Sequence, residues 1–198
     1  MTYELFLALA GFALGTVITP GPNNLMLMAS GANFGFRRSI PHMLGVGLGF
    51  PLMILPVGLG VMQLFDLIPQ LVVVMTVASV GYMLWLAWKL ANAGAPGEGK
   101  AGGAPLTFLQ ASAFQWVNPK AWAMALGAIT LYATDRSLGA ILWVCGTYVM
   151  MGCLSTTTWT VLGLQIRKVL TNPMRLRLFN WTMAAMLVAS LLAAILLK

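Results

Sequence analysis

Lys120 stands where a lysine is expensive. It follows Asn118 and Pro119 inside a long apolar run. Asn118 reads as a helix cap and Pro119 as the first helical residue. A lysine in that first turn opposes the helix dipole, which favours anions there. The position lies some twelve residues into a membrane span, ~18 Å by helical rise, near the bilayer middle. A charge at that depth costs a few kcal/mol by insertion scales. Two unfavourable placements at once call for an anionic partner. No span offers a central Asp or Glu, because Glu4, Asp66, Glu98 and Asp135 all fall at ends or in loops. A ligand carboxylate fits the gap. The bland alternative is a lysine that snorkels to the cytoplasmic interface.

A second constellation answers the first. Thr19-Pro20-Gly21-Pro22-Asn23-Asn24 interrupts an apolar stretch that otherwise reads as one helix. Its two prolines remove backbone donors and push Thr19 and Gly21 out of helical conformation. In a bilayer such a break survives only inside protein or beside a wet cavity. The half-helix starting near Pro22 leaves the amides of Asn23, Asn24 and Leu25 at a positive dipole end. The half-helix ending near Ile18 leaves the carbonyls of about Gly15 to Ile18 facing the gap, which suits a cation. Gln115 precedes the second break, where Pro119 withdraws the donor from its carbonyl. Amide donors, carbonyl acceptors and a lysine together suit a small zwitterion, and free amino acids are the obvious candidates. Proline kinks also serve packing alone, but two breaks at comparable depth favour a binding role.

The elements that must position these residues are membrane helices. The 198 residues are 60% hydrophobic and 8% charged, against about 25% charged in soluble domains. The net charge of +7 does not point to nucleic acid, because the basic residues sit in short loops between apolar runs. The first helix lacks a cationic leader and cleavage site and reads as retained. Cys145 and Cys153 lie in one helix, ~12 Å apart, too far for an intrahelical disulfide. No cofactor and no metal site is expected, since no span carries a carboxylate or His/Cys cluster.

Spans need about 20 apolar residues, and six are predicted, at roughly 3–29, 39–62, 69–90, 107–132, 138–163 and 178–197. Pro51 and Pro56 predict a bend in the second. A Gly-rich cytoplasmic linker, 92–106, separates a first three-helix half, 1–91, from a second, 107–198. The fold class is all-α integral membrane, with spans 1 and 4 broken. With the N-terminus outside, the inner loops carry Arg37, Arg38, Lys89, Lys100, Arg167, Lys168, Arg175 and Arg177, against Arg136 and Lys198 outside. Both termini are therefore predicted outside the cytoplasmic membrane. An odd number of helices per half makes the halves inverted repeats if they share a fold.

Several residues have two readings. His42, the only histidine, is a candidate proton carrier beside Lys120, or an interfacial histidine bonded to a carbonyl; the second is favoured. Gly11 and Gly15, like Gly45 and Gly49, have the spacing of close helix packing. Ser155 to Thr158 either line a polar path or bond back to helices. Trp116 and Trp122 flank the second break and either wall a site or pack.

The Thr19–Asn24 motif, the stretch Ala29-Ser-Gly-Ala-Asn-Phe-Gly-Phe-Arg-Arg38, and Gln115-Trp-Val-Asn-Pro-Lys120 resemble the LysE/RhtB family of amino-acid exporters. The resemblance runs over essentially the whole chain. It is closest to LysE family translocators of the cysteine/O-acetylserine exporter-like kind, some of which carry valine at the position of Pro119. It implies export of amino acids or their derivatives across the cytoplasmic membrane, driven by the proton gradient, by alternating access. Thr19, Pro20, Gly21, Pro22, Asn23, Asn24, Gln115, Asn118, Pro119 and Lys120 are the expected cargo-binding residues. The expected partners are an amino acid, protons and the lipid bilayer. One chain is small for a transporter, which allows for a homodimer, though no interface is readable. The rivals are export of another metabolite or a cation, and a membrane enzyme. An enzyme is disfavoured because one histidine and scattered serines do not make a nucleophile with a base.

Overall fold

The computed structural model describes residues 2–61, 63–93, 104–170 and 172–196, and they are helical with no strand among them. The helices are α1 (Tyr3–Ile18), α2 (Pro22–Phe34), α3 (Phe36–Gly58), α4 (Gln63–Leu67), α5 (Gln70–Ala91), α6 (Phe108–Val117), α7 (Pro119–Tyr132), α8 (Leu138–Arg167) and α9 (Pro173–Leu196). Most of the predicted linker, with Glu98 and Lys100, lies outside the described residues, as does Lys198.

Local chemistry sets the boundaries. The Thr2 hydroxyl caps α1 by accepting from the Leu5 amide. Thr107 and Gln110 form a reciprocal capping box that starts α6. Gly35, at φ 78°, closes α2 in a conformation that only glycine adopts cheaply, and α3 begins at once. Both expected breaks fall where the prolines put them. α1 and α2 meet at 61°, and α6 and α7 are separated by Asn118 alone. α3 by contrast runs as one helix through Pro41, Pro51 and Pro56.

Among the described residues, α3, α5, α8 and α9 are long and apolar enough to cross a membrane, and α1 with α2 counts as a fifth if the bent pair is one span rather than a re-entrant loop. α6 and α7, with 10 and 14 residues, are each too short to cross alone.

α8 is the central element, packed against α1, α2 and α3. α3 also packs on α6, and α5 on α9. One apolar core joins Leu9, Met53 and Ile54 to Ala125, Ile141 and Tyr148. A second joins Leu27 and Met83 to Phe114 and Leu187. Each core therefore draws on both sides of the linker.

Backbones come very close at two crossings. A Cβ on Gly31 would lie 2.1 Å from the Thr160 carbonyl, and one on Gly163 would lie 1.9 Å from that of Met28, so α2 and α8 interlock. A Cβ on Gly45 would lie 2.5 Å from the Phe108 carbonyl, and one on Gly49 2.6 Å from Ser112 Cα, which locks α3 to α6. The packing expected of Gly45 and Gly49 is thus present. That expected of Gly11 and Gly15 is not: a Cβ on either meets nothing within 4 Å among the described residues. Spacing alone does not say which face of α1 is covered.

Candidate functional site

The two breaks meet. Gly21, Asn23 and Asn24 from α2, and Asn118 and Lys120 at the start of α7, line one cavity. The Asn118 side chain accepts the Lys120 amide at 3.1 Å, and Pro119 is the first residue of α7, as the residue types predicted. Gly21 starts α2 with no side-chain cap. The Leu25 amide, expected free, instead donates to the Gly21 carbonyl at 2.9 Å, so the amides of Asn23 and Asn24 alone lack a partner among the described residues. Asn118 takes the first amides of α7, which adds its dipole and the Lys120 ammonium rather than free donors. That arrangement suits an anion.

Lys120 turns toward the end of α1. Its Nζ donates to the Thr19 carbonyl and to Thr19 Oγ1, each at 2.8 Å. The C-terminal end of α1 thus supplies a negative partner, and no carboxylate pairs with Lys120 among the described residues. Gly21 makes room for this: a Cβ there would stand 3.0 Å from Lys120 Cδ and 3.1 Å from Nζ.

The other predicted residues sit behind the cavity wall. Gln115 is fully buried and exchanges side-chain hydrogen bonds with Asn23, at 2.9 and 3.2 Å, so it braces α2 against α6. Thr19, Pro20, Pro22 and Pro119 shape the breaks without lining the cavity. Trp122 donates to the Trp116 carbonyl at 2.7 Å, and neither ring reaches the wall.

One expectation is corrected. Of the α1 carbonyls expected to be open to a cation, those of Thr16, Val17 and Ile18 already have side-chain donors. Asn24 Nδ2 donates to Val17 at 2.7 Å and to Thr19 at 2.8 Å. Ser155 donates to Val17 at 2.8 Å, Trp159 to Ile18 at 3.1 Å, and the Thr19 hydroxyl to Thr16 at 2.8 Å. Side chains finish the job that backbone amides would do in an unbroken helix.

Sequence reasoning missed part of the wall. Thr16, Gly47, Phe50, Pro51, Tyr148 and Gly152 line the cavity, with Ser155 and Thr156 from the polar run of α8. The Tyr148 hydroxyl meets Thr16 Oγ1 at 3.2 Å. The available signal was a tyrosine in the middle of an apolar run, and the structure buries it fully. Thr158, the last of that run, faces away and donates to the Leu154 carbonyl of its own helix at 2.8 Å.

His42 belongs elsewhere. It lines a second cavity with Ser30, Lys89 and apolar residues of α2 and α5. It is 1% exposed, and neither ring nitrogen has a hydrogen-bond partner among the described residues. The carbonyl bond of the favoured reading is thus absent among the described residues.

The chain is similar to known proteins over most of its length. A family profile described as LysE type translocator matches residues 14–197. The chain is 32% identical over 167 residues to a cysteine/O-acetylserine efflux protein of Escherichia coli (strain K12), covering 82% of this chain and 84% of that one. The same figures hold for a cysteine/O-acetylserine efflux protein of Shigella sonnei (strain Ss046). No solved structure matches. The match runs through both helix breaks and the lysine between them, and the chain is a multi-pass membrane protein of the LysE type translocator family.

Proposed function

We propose that this protein exports amino acids or their derivatives across the cytoplasmic membrane, with cysteine and O-acetylserine the first cargoes to test. The carrying observation is the convergence of the α2 and α7 N-termini and Lys120 on one cavity. A cargo carboxylate would take the α2 amides and draw Lys120 away from Thr19. Gly21, Asn23, Asn24, Asn118 and Lys120 would touch cargo. Thr19, Pro20, Pro22, Gln115 and Pro119 would hold the breaks in shape.

The cavity measures about 40 Å³. That is room for a water or two and well below the ~150 Å³ that takes benzene. Cargo therefore enters a more open conformation, which fits alternating access around a central site. α6 and α7 would serve as one broken span over 108–132, long enough for a hydrocarbon core ~30 Å thick at 1.5 Å per residue. That completes six spans in two inverted halves, with both termini outside by the distribution of basic residues. Proton antiport is the proposed drive. His42, buried and without a hydrogen-bond partner among the described residues, is the coupling group we favour over Lys120, whose ammonium is engaged with Thr19. A homodimer is compatible with the chain's size.

The test is uptake of labelled cysteine and of a mixed amino-acid pool into inside-out vesicles, with and without an imposed pH gradient. Gradient-dependent uptake in the wild type, lost in Lys120→Ala at equal membrane abundance, is the expected result. Wild-type flux in Lys120→Ala removes the lysine from the site. No uptake by folded wild type rejects the export reading.

A further inference from the structure

A zwitterion needs an acceptor for its ammonium, and the end of α1 is already occupied. We infer that the backbone carbonyl of Gly47 on α3, with Thr156 Oγ1 on α8 beside it, receives the ammonium of the cargo. This rests on the amino-acid export reading and completes the same site.

The reason lies in the sequence of α3. In an α-helix the carbonyl of residue 47 accepts from the amide of residue 51. Residue 51 is proline, which has no amide hydrogen, and its ring crowds that carbonyl away from the helix axis. The helix nevertheless continues without a break. Gly47 and Pro51 are both buried, and both line the cavity that Lys120 lines. A backbone carbonyl deprived of its donor in a membrane interior costs several kcal/mol unless something else donates to it. The other prolines inside α3 do not do this at the cavity. Pro41 frees Arg37, in the first turn, and Pro56 frees Leu52, which is 60% exposed.

The surroundings keep that carbonyl approachable. The residue facing it from α8 is Gly152, where a Cβ would lie 3.6 Å from the Gly47 oxygen. Any larger side chain would cover it. Thr156 is next along the same face of α8, and a Cβ on Gly47 would lie 4.0 Å from Thr156 Oγ1. That hydroxyl spends its hydrogen on the Cys153 carbonyl at 3.2 Å, so its oxygen is left as an acceptor. The wall thus carries two acceptors on α3 and α8, and donors on α2 and α7. A primary ammonium beside a carboxylate matches both. An N-acylated amino acid, an amino-acid ester, or a plain carboxylic acid matches only one.

The test uses purified protein in proteoliposomes, with labelled cysteine as cargo and 3-mercaptopropionate, which lacks the ammonium, as competitor. Pro51→Ala returns a donor to the Gly47 carbonyl and should leave α3 at least as stable. The expected result is a KM for cysteine raised about tenfold or more, as for loss of a hydrogen bond to a charged group, with the melting temperature in detergent unchanged or higher. Gly152→Ala, which covers the carbonyl with a methyl group, should raise KM in the same direction. In the wild type 3-mercaptopropionate should neither compete nor be carried. A wild-type KM in both variants overturns the inference, and so does wild-type uptake of 3-mercaptopropionate at the rate of cysteine. Uptake that requires sodium, with KM for sodium rather than cysteine altered in Pro51→Ala, overturns it in favour of an inorganic cation at that carbonyl. Absence of wild-type flux for every amino acid removes the export reading and this inference together, whereas unchanged variants remove this inference alone.

Discussion

At the residue scale, the site is a set of polar groups that must not be paired too well. Gly21 shows how narrow the margin is. Its φ of −177° is ordinary extended backbone, so an alanine there is not strained in itself. Its methyl would instead press on Lys120, 3.0 Å from Cδ. Gly21→Ala should therefore slow transport about ten- to a hundredfold by misplacing the ammonium, with little change in melting temperature. Vesicle uptake beside a detergent melt checks it, and a normal rate would show that Lys120 tolerates the shift. His42 makes a different prediction. If it carries the proton, His42→Gln should lose gradient-driven accumulation while keeping cargo-for-cargo exchange within about twofold of wild type, because exchange moves no net proton. Loss of both activities would assign His42 to folding or cargo, and retention of both would clear it of any role. The residues around the breaks were legible in sequence because proline and glycine act locally. Their partners were not. Nothing in the motif says that Asn24 will turn back on Val17 and Thr19, since that contact exists only after α1 and α2 fold at 61°.

At the element scale, glycines decide which helices can approach. Gly31→Ala places a methyl 2.1 Å from a backbone oxygen, which cannot swing aside as a side chain can. It should destabilise the protein by about 1–3 kcal/mol, seen as a lower melting temperature and lower yield. Gly11→Ala and Gly15→Ala meet nothing and should be neutral, or stabilising by ~0.5–1 kcal/mol through the helix propensity of alanine. Equal melting temperatures across the three variants would refute the interlock between α2 and α8. The contrast also marks where sequence reading stops. Both glycine pairs in α1 and α3 have the same spacing, and only the tertiary fold chooses which one faces a neighbour. The long helices fall within about five residues of the predicted runs, because each has a cap, a proline or an apolar run of fixed length, whereas the short α4 had no signal in sequence. The 30-residue length of α8 was underestimated, since the polar residues at its end looked like loop.

At the scale of the whole molecule, orientation is the first matter to settle. Cysteines placed at Thr134 and at Asn92, in a chain with Cys145 and Cys153 replaced, should react oppositely with a membrane-impermeant thiol reagent. Thr134 should label in intact cells and Asn92 only after the membrane is opened. The reverse pattern would invert the direction of transport assigned here. The order of spans along the chain suggests two halves that rock against each other, yet the closest backbone crossings run between the halves. α2 is locked to α8 and α3 to α6. α3 also lies along α8, so these four helices form one frame, and the cavity sits against it. Lys120 stands outside that frame, at the head of α7. On the export reading the frame would be an anvil and α7 a hammer. A cargo carboxylate shared by the α2 amides and Lys120 would bring α7 down, and its departure would let α7 lift.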